Sequence, residues 1–364
     1  MTYENYDNIA NVLDYGAKPY LNGESSEGDS TAAFMDAINT GKPVYVPNAV
    51  GLSTAYDVAL SALPDGFKLF GHSANPSASL SDYKSPTILK GISGASAIID
   101  TSGVKSFEIS GLSFDGLSRS MYGVGALTST SYRGVLTNVT TRDCSTGIGG
   151  TAGNLLQAFV LTACVAHNNN FGFGNLVDGQ VTQSTAIANL KSGFNLPSGC
   201  NRNTLLGNRV EWNNEFGVWC SDSEENLILG LMADRNGGAG VQISSGKRIK
   251  VTGNFSRNGR LYDAVNAQHL NRHIGLSGDW EGIDIDITTT TGLNDDSTGL
   301  LSPQHVLNVS GTGTRLRMVG MLDGSVDSMI GGSFDSAAKV SVLDHSGENM
   351  PFIQNMPYSV FQQN

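Results

Sequence analysis

Charged and aromatic side chains are scarce in this chain of 364 residues. Charged residues make up 15% and aromatic residues 8%, whereas there are 45 glycines. Few charges together with abundant glycine favour short strands and tight turns over helices. The formal net charge is −11, which makes binding to nucleic acid or to anionic membranes unfavourable. We therefore expect an all-β protein with no nucleic-acid partner.

Long hydrophobic runs and paired cysteines are also missing. No apolar run is long enough to cross a bilayer, and residues 1–6 lack the basic and apolar segments of a secretion signal. We therefore expect no membrane insertion. No P-loop or dinucleotide motif stands in a suitable context, and we expect no cofactor. The cysteines have neither C-x-x-C spacing nor a histidine at zinc-ligand spacing, which favours core thiols over disulfides or a metal site: Cys144, Cys164, Cys200 and Cys220.

A repeat of about 23 residues is the main pattern of the sequence. It is marked by five glycines, each followed by an apolar residue: Gly147, Gly172, Gly193, Gly217 and Gly240. A fixed period of this length is typical of a stacked solenoid, in which residues one period apart lie on neighbouring coils.

Positions counted from each glycine predict columns of side chains. The residue four before each glycine is expected to join an asparagine ladder at a turn: Asp143, Asn168, Asn189, Asn213 and Asn236. The residue six before each glycine is expected to face solvent: Thr141, Ala166, Ile187, Glu211 and Asp234. Two positions after the glycines, Trp219 and Gln242 are also expected to point outward, between mostly apolar neighbours. Glu211 and Asp234 are thus predicted to lie side by side.

The first 50 residues predict a cap for the open end of the solenoid. Asp29 or Ser30 is a good N-cap for a short helix, and Phe34, Ala37 and Ile38 would share its buried face. A strand closed by proline follows at residues 42–47. Such a helix would cover the strand edges and core that a solenoid leaves exposed.

Four segments of the first part carry a family resemblance: residues 11–18 (NVLDYGAK), 28–38 (GDSTAAFMDAI), 64–71 (PDGFKLFG) and 109–116 (ISGLSFDG). They resemble bacteriophage tailspikes and related polysaccharide depolymerases of the pectate-lyase-like superfamily, and the likeness runs from about residue 11 to 260. The resemblance implies a right-handed parallel β-helix that acts on bacterial capsule, O-antigen or exopolysaccharide. It also implies a homotrimer on the virion tail, made in the host cytoplasm. No capsid-attachment domain precedes Asn11, so attachment through other phage tail proteins is expected.

The domain organisation follows from where the repeat holds. We expect an N-terminal cap over 1–50, a parallel β-helix over 51–270 and a β-rich C-terminal region over 271–364. Residues 71–86 are interpreted as a long loop, and the period is lost over 261–273. The C-terminal region is either further coils or a small terminal sheet, and by resemblance it is where three chains would join.

The pair of acids on neighbouring coils is the main catalytic candidate. Stacked strands lie about 4.8 Å apart, and glycoside hydrolysis needs two carboxyl groups about 5 to 9.5 Å apart. Glu211 is assigned as general acid and Asp234 as base, with exchangeable roles, or else both are ordinary side chains neutralised by Arg209 and Arg235. Asp222 is a rival second carboxylate, in a loop with Glu224 and Glu225 that also fits a solvated surface.

Aromatic and polar neighbours of the acids are the candidates for sugar binding. Trp219 and Trp212 would stack on sugar rings, and the other expected substrate contacts are Arg235, Gln242 and His167. The acids at 279, 281, 284 and 286 match no calcium loop and favour a polar strand face over a cation site, so no metal site is assigned. Hydrolysis is favoured, with two alternatives: a lyase on the same scaffold, and a non-catalytic glycan-binding adhesin or structural spike.

Overall fold

The computed structural model describes residues 8–48, 53–72, 86–259, 272–290, 292–293, 301–303, 305–322, 328–332 and 340–344. Apart from two short antiparallel pairs, the described strands stack in parallel with strands of neighbouring coils, so the architecture is a parallel β-helix. Two units divide the chain, residues 1–184 and 185–364. No helix among these residues is long and apolar enough to cross a bilayer.

The first unit holds the N-terminal helices and the earlier coils. Its helices are a 3₁₀ helix (Val12–Tyr15) and α1 (Thr31–Asn39). Its strands are β1 (Ala10–Asn11), β2 (Tyr20–Leu21), β3 (Val44–Val46), β4 (Thr54–Asp57), β5 (Phe67–Gly71), β6 (Thr87–Lys90), β7 (Ala97–Asp100), β8 (Phe107–Ser110), β9 (Ser113–Asp115), β10 (Tyr122–Ala126), β11 (Ser131–Tyr132), β12 (Gly134–Thr137), β13 (Thr140–Arg142), β14 (Thr146–Gly150), β15 (Leu156–Gln157), β16 (Val160–Thr162), β17 (Val165–His167), β18 (Phe171–Gly174), β19 (Leu176–Val177) and β20 (Gln180–Thr182).

Helix α1 forms where the sequence predicts it. The Asp29 carboxylate accepts a hydrogen bond from the Thr31 backbone N–H at 2.7 Å, which satisfies one of the free donors of the first turn. Phe34, Ala37 and Ile38 are buried on one face. The Phe34 ring meets Tyr56 of β4 edge-on, with 5.6 Å between ring centroids. The helix therefore buries an apolar stripe, and its role as a cap stays a prediction.

Stacked apolar side chains form the core of the first unit. Strands β8, β12, β16 and β20 pair in parallel, and their register aligns one buried column: Ile109, Leu136, Leu161 and Val181. Phe67 and Phe107 stack at 5.5 Å in neighbouring strands. Each coil thus buries its apolar residues against equivalent residues of the next, which is what the period requires.

The second unit is also built of stacked parallel strands. Its strands are β21 (Thr185–Ile187), β22 (Phe194–Leu196), β23 (Thr204–Leu206), β24 (Arg209–Glu211), β25 (Val218–Ser221), β26 (Leu227–Asp234), β27 (Val241–Ser244), β28 (Lys250–Ser256), β29 (Arg272–Ser277), β30 (Trp280–Thr290), β31 (Gly292–Leu293), β32 (Leu301–Ser302), β33 (His305–Val309), β34 (Gly313–Leu322), β35 (Ser328–Gly332) and β36 (Val340–Asp344). Strands β29, β30 and β33–β36 pair in parallel with the preceding coils, so they are further coils. The boundaries at residues 50 and 270 stay a prediction.

A ladder of buried asparagines runs through the second unit at one turn. Asn189 donates to Asn213 at 2.8 Å, Asn213 to Asn236 at 2.9 Å, and Asn236 to Asn258 at 2.8 Å. All four side chains are fully buried. Because each amide donates to one neighbour and accepts from the other, the ladder satisfies polar groups that would otherwise be orphaned in the core. Three of these four residues were predicted members of the ladder.

The ladder prediction holds only in part in the first unit. The Asn168 amide donates to the Asp143 carboxylate of the neighbouring coil at 2.7 Å, as predicted, but this pair lies one residue before the buried column. Asp143 and Asn168 have left-handed backbone conformations, and the buried amide is the following residue, Asn169. The turn from the left-handed residue to the repeat glycine is one residue shorter here than in the second unit. A shift of one residue reverses the face of a strand, so Thr141 and Ala166, predicted to face solvent, are fully buried instead.

All four cysteines are free and buried, as predicted. Burial raises the pKa of Cys164 and of Cys220 to about 12. These thiols are therefore core packing groups and not nucleophiles. The predicted long loop (residues 71–86) and the stretch where the period is lost (residues 261–273) fall mostly on residues 73–85 and 260–271, respectively. Both lie outside the described residues.

Candidate functional site

Glu211 and Asp234 lie opposite each other at the ends of β24 and β26, as the repeat predicts. Both are more than nine-tenths buried. Glu211 forms an ion pair with Arg209 at 2.7 Å. Asp234 accepts from Arg257 at 2.9 and 3.1 Å and also pairs with Arg235. The two acids are thus side by side, as predicted. The contacts to Arg209 and Arg235 are also present, as expected if both acids are ordinary side chains neutralised by arginines.

Trp212 and Arg235 follow the two acids and form one stacked pair. Both have left-handed backbone conformations at the same turn. The Arg235 guanidinium carbon lies 5.2 Å from the centroid of the Trp212 ring, a cation–π distance. One face of Trp212 is therefore covered by protein, which leaves less of the ring for a sugar than the sequence suggested.

The acidic loop after β25 is mainly a solvent-exposed ion-pair network. Glu224 pairs with Arg248 at 2.5 Å, and Glu225 pairs with Arg248 at 3.0 Å and with Arg202 at 2.9 Å. These two arginines hold the pKa of Glu225 below its ordinary value. Asp222 is exposed at the C-terminal end of β25, whereas Glu211 precedes that strand. Glu224 and Glu225 thus fit the solvated-loop interpretation, and the role of Asp222 stays a prediction.

A groove of about 480 Å³ lies over the sheet formed by β25, β27, β29 and β33. Its floor follows one outward row of register partners: Trp219, Gln242, Gly275 and Asn308. Phe216 and Trp219 form an aromatic wall, with 6.1 Å between ring centroids. Ser244 and Ser277 provide a second polar row, with hydroxyl oxygens 3.0 Å apart. The structure therefore brings together Trp219 and Gln242, both predicted to contact substrate.

Arg272 at the start of β29 is the cation of this groove. Its guanidinium donates to the Gln242 side-chain oxygen at 2.6 Å, and Gln242 in turn donates to the Ser277 hydroxyl at 3.1 Å. Arg272 is 93% buried, since only 7% of its surface is exposed. Burial lowers the pKa of Arg272 to about 10, so the group remains charged at neutral pH. The sequence analysis missed it because it falls where the repeat period is lost.

The winding also matches a known family. Residues 95–256 match the family model described as "Right handed beta helix region". The protein is a right-handed parallel β-helix. Its parallel strand pairing agrees with this description, and the expected fold class is confirmed.

Solved structures of the same fold include proteins that act on polysaccharides. The A-module of a mannuronan C-5 epimerase from Azotobacter vinelandii is 18% identical, with a TM-score of 0.62 over 92% of this chain and 94% of that one. The enzymatically active domain of tailspike protein 2 from bacteriophage CBA120 is 15% identical, with a TM-score of 0.64 over 97% of this β-helix and 54% of that chain. The catalytic unit of an α-1,3-glucanase from Streptomyces thermodiastaticus is 15% identical, with a TM-score of 0.56 over 94% and 69%. At these identities the likeness establishes the fold.

Glu215 is a carboxyl group near the groove of the β-helix that the sequence analysis did not single out. It directly precedes Phe216 of the aromatic wall. Burial raises the pKa of Glu215, and the charge of Lys191 partly opposes this. A raised carboxyl pKa is a property of general acids. The 23-residue pattern does not indicate Glu215, because what distinguishes this residue is the partial burial of its turn, which the pattern does not show.

His167 lies in the first unit of the β-helix, whereas the other predicted site residues lie in the second. Burial lowers the pKa of His167, although the Asp143 carboxylate opposes this effect. His167 is the register partner of Arg142, which pairs with Asp115 at 2.5 Å. Its predicted contact with substrate stays a prediction.

Three of the four acids singled out in the C-terminal coils are paired with cations or hydroxyls. Asp284 contacts Arg317 at 2.6 Å and Lys250 at 3.6 Å, and Glu281 contacts Arg315 at 2.5 Å. Asp279 accepts from Thr312. Within the described part of the chain, no group of three or more histidine, cysteine or acidic residues is placed to hold a metal ion. The polar strand face is thus the interpretation that these contacts favour.

Proposed function

We propose that this β-helix binds and hydrolyses a bacterial surface polysaccharide, as a tailspike-type depolymerase does. The observation that carries the proposal is the groove of the second unit, in which an aromatic wall faces amide, hydroxyl and guanidinium groups. Sugars bind through stacking of their C–H faces on rings and through hydrogen bonds to such polar groups. Fold relatives named as a tailspike and as a glucanase support this substrate class.

Glu211 and Asp234 are the proposed catalytic pair. Glu211 would protonate the leaving glycosidic oxygen, and Asp234 would act as base or nucleophile, with exchangeable roles. Register partners on parallel strands lie about 4.8 Å apart, which suits two carboxyl groups on one glycosidic bond. Arg209, Arg235 and Arg257 hold the two carboxylates in place. If Glu211 or Asp234 proves dispensable, Asp222 and Glu215 are the next candidates for the catalytic carboxyl group.

The biological setting belongs to the same proposal. A homotrimer on the virion tail, attached through other tail proteins, would place three grooves against the host surface. The resemblance of the N-terminal segments to tailspikes and the fold shared with a tailspike support this setting.

Incubation of the full chain with purified capsular and O-antigen polysaccharides tests the proposal. Hydrolysis is expected to shorten the polymer and to release one reducing end per cut without new near-ultraviolet absorption. A lyase would also shorten the polymer, but it would leave unsaturated products that absorb in the near ultraviolet. Unchanged chain length for every polymer that binds would contradict the enzymatic part.

One observation favours a second function, glycan binding without cleavage. No aspartate or glutamate is found among the groove-lining residues that the structure describes. Both acids of the proposed pair are also engaged by arginines. Saturable binding of a polysaccharide whose length stays constant would establish the adhesin and exclude both enzymes.

A further inference from the structure

The guanidinium of Arg272 is a buried charge whose described surroundings supply no carboxylate. Its one described hydrogen bond is to the neutral Gln242 amide oxygen. The Arg272 Nε atom is buried with no hydrogen-bond partner among the described residues. The register neighbour in β33 is His305, which is not an acid. Burying a charged group without a counter-ion costs several kcal/mol, and no carboxylate among the described residues offsets this cost for Arg272.

A glycine, Gly275, leaves room for the Arg272 side chain. A Cβ atom at Gly275 would lie 2.4 Å from Arg272 Nε and 2.1 Å from Gln242 Oε1, which is closer than such atoms can approach. The side chains of Arg272 and Gln242 therefore occupy the space above Gly275 that any other residue would fill. Gln242 is fixed in turn by the Ser277 hydroxyl. This packing makes Arg272 a preorganised donor at the groove.

We propose that Arg272 binds an oxyanion carried by an acidic sugar residue of the polysaccharide. Arginine presents its N–H donors as a planar fork that matches the two oxygens of a carboxylate or phosphate. Trp219 and Phe216 line the same groove, so a sugar ring stacked on them places its acidic substituent beside Arg272. This proposal rests on the proposed function and names its substrate class: an acidic polysaccharide, with a uronate or a sugar phosphate as the bound unit.

Small acidic sugars test the site without any need for cleavage. Galacturonate, glucuronate and glucose 6-phosphate are titrated into the full chain, with galactose and glucose as neutral counterparts, and indole fluorescence reports binding beside Trp219. We expect a saturable response to at least one acidic sugar and a response at least about tenfold weaker to its neutral counterpart. A response to a uronate identifies a carboxylate as the bound oxyanion, and a response to glucose 6-phosphate identifies a phosphate.

Substitutions of Arg272 locate that response. Arg272→Gln is expected to weaken binding of the acidic sugar by at least about tenfold. Arg272→Lys is expected to retain part of the binding, because it keeps the charge but loses the fork. Arg317→Gln is the matched control, since it removes an exposed arginine outside the groove and should leave binding unchanged. Thermal unfolding of each variant verifies that the protein is folded. If Arg272→Gln does not fold, the conservative Arg272→Lys variant carries the test, and unchanged binding in it overturns the proposal.

Polysaccharides with reduced carboxyl groups separate this proposal from the proposed function. Conversion of uronates to neutral hexoses should weaken binding of a uronate-containing polymer by at least about tenfold, whereas a polymer that is bound through phosphate should be unaffected. Cleavage of a neutral polysaccharide with equal rates in wild type and Arg272→Gln would overturn the acidic site and leave the depolymerase intact. Binding of acidic sugars through Arg272 without any polymer cleavage would support the acidic site and overturn the depolymerase activity. No response to any acidic sugar by folded protein also overturns the site.

Discussion

At the scale of single residues, the acids Glu211 and Asp234 differ in how strongly the protein holds them. Glu211 has one arginine partner, whereas Asp234 has two, and one of these, Arg257, contacts both of its oxygens. The Asp234 carboxylate therefore has the more fixed orientation. A nucleophile or base needs such orientation, which agrees with the assignment of Asp234 to that role and of Glu211 to the acid.

Amide substitutions of the two acids test their roles. Glu211→Gln and Asp234→Asn are each expected to lower the rate of polysaccharide cleavage by at least about 100-fold, because an amide can neither donate nor accept the required proton. Reducing-end assays measure the rate. Asp234→Asn should also lower the melting temperature more than Glu211→Gln, since it weakens two ion pairs instead of one.

Glu281→Gln is the matched control for these variants. Glu281 is ion-paired with the exposed Arg315 and lies outside the groove, so its amide variant should retain full activity. Turnover near the wild-type rate in either Glu211→Gln or Asp234→Asn would remove the pair as catalytic residues. Glu215→Gln and Asp222→Asn would then be the next variants to assay.

The two tryptophans predicted to bind sugar should contribute unequally. Trp219 lines the groove, whereas one face of Trp212 is covered by Arg235. We expect Trp219→Ala to weaken polysaccharide binding by about tenfold and Trp212→Ala to weaken it by less than about threefold. Dissociation constants from calorimetry measure both effects. Equal losses in the two variants would show that the ligand reaches the turn that holds Trp212.

At the scale of structural elements, the asparagine ladder ties the coils of the second unit together. Asn213 accepts from the Asn189 side chain and backbone at 2.8 and 3.1 Å and donates to Asn236 and to the Ala186 carbonyl at 2.9 and 3.1 Å. Removal of this one amide takes a hydrogen bond away from several buried polar groups. Each such group costs about 1–3 kcal/mol.

Asn213→Ala is therefore expected to lower the free energy of unfolding by about 3 kcal/mol or more. Urea denaturation measures the change. Asn22→Ala, a change at a half-buried turn residue in the first unit, serves as the control and should cost less than about 1 kcal/mol. A cost for Asn213→Ala as small as that of the control would mean that the ladder does not stabilise the coils.

The ladder ends on His273, which makes stability sensitive to acid. Asn258 uses its oxygen for Asn236, so its N–H donates to His273 Nδ1 at 3.0 Å. Burial lowers the pKa of His273 to about 3, below the ordinary histidine value of about 6.5. The unfolded chain therefore binds a proton between these two pH values, whereas the folded chain does not. This stabilisation is complete above about pH 6.5 and is lost as the pH falls toward 3.

Unfolding free energies at several pH values test this contribution. His273 should account for a loss on the order of 1 kcal/mol per pH unit below pH 6. His273→Gln is expected to be less stable at pH 7 but to lose stability with a shallower slope. His72→Gln, at an exposed position, should leave the slope of the wild type unchanged. An identical slope in the His273→Gln variant would assign the acid sensitivity to other groups.

At the scale of the whole molecule, sequence periodicity predicts the winding but not the turns. Counting from the repeat glycines correctly predicts that Glu211 and Asp234 are register partners, because residues one period apart occupy equivalent positions on neighbouring coils. The same count placed Asp143 and Asn168 one residue early, since a turn can lose a residue without a signal in the apolar pattern. Arg272 and Glu215 were missed because their significance lies in burial, which depends on packing between coils.

The net charge of −11 predicts an unusual salt dependence for binding of an acidic polysaccharide. Protein and polymer then repel each other at long range, while the contact at Arg272 is short-range and buried. Salt screens the long-range repulsion, since the Debye length falls from about 30 Å at 0.01 M to about 10 Å at 0.1 M. The association rate should therefore rise severalfold over this range, which stopped-flow indole fluorescence measures.

A carboxyl-reduced form of the same polymer, assayed where it still binds, is the control for this effect, because it carries no charge for the protein to repel. Its association rate should stay nearly constant with salt. A rate that falls with salt for the acidic polymer would instead show that a local positive surface guides the encounter, as in proteins that bind polyanions through exposed arginine and lysine. Among the described residues that line the groove, Arg272 is the one cation, and it argues against such guidance, because a charge that is 93% buried projects little field into solvent. Specificity for the acidic sugar would then act after encounter, through the dissociation rate.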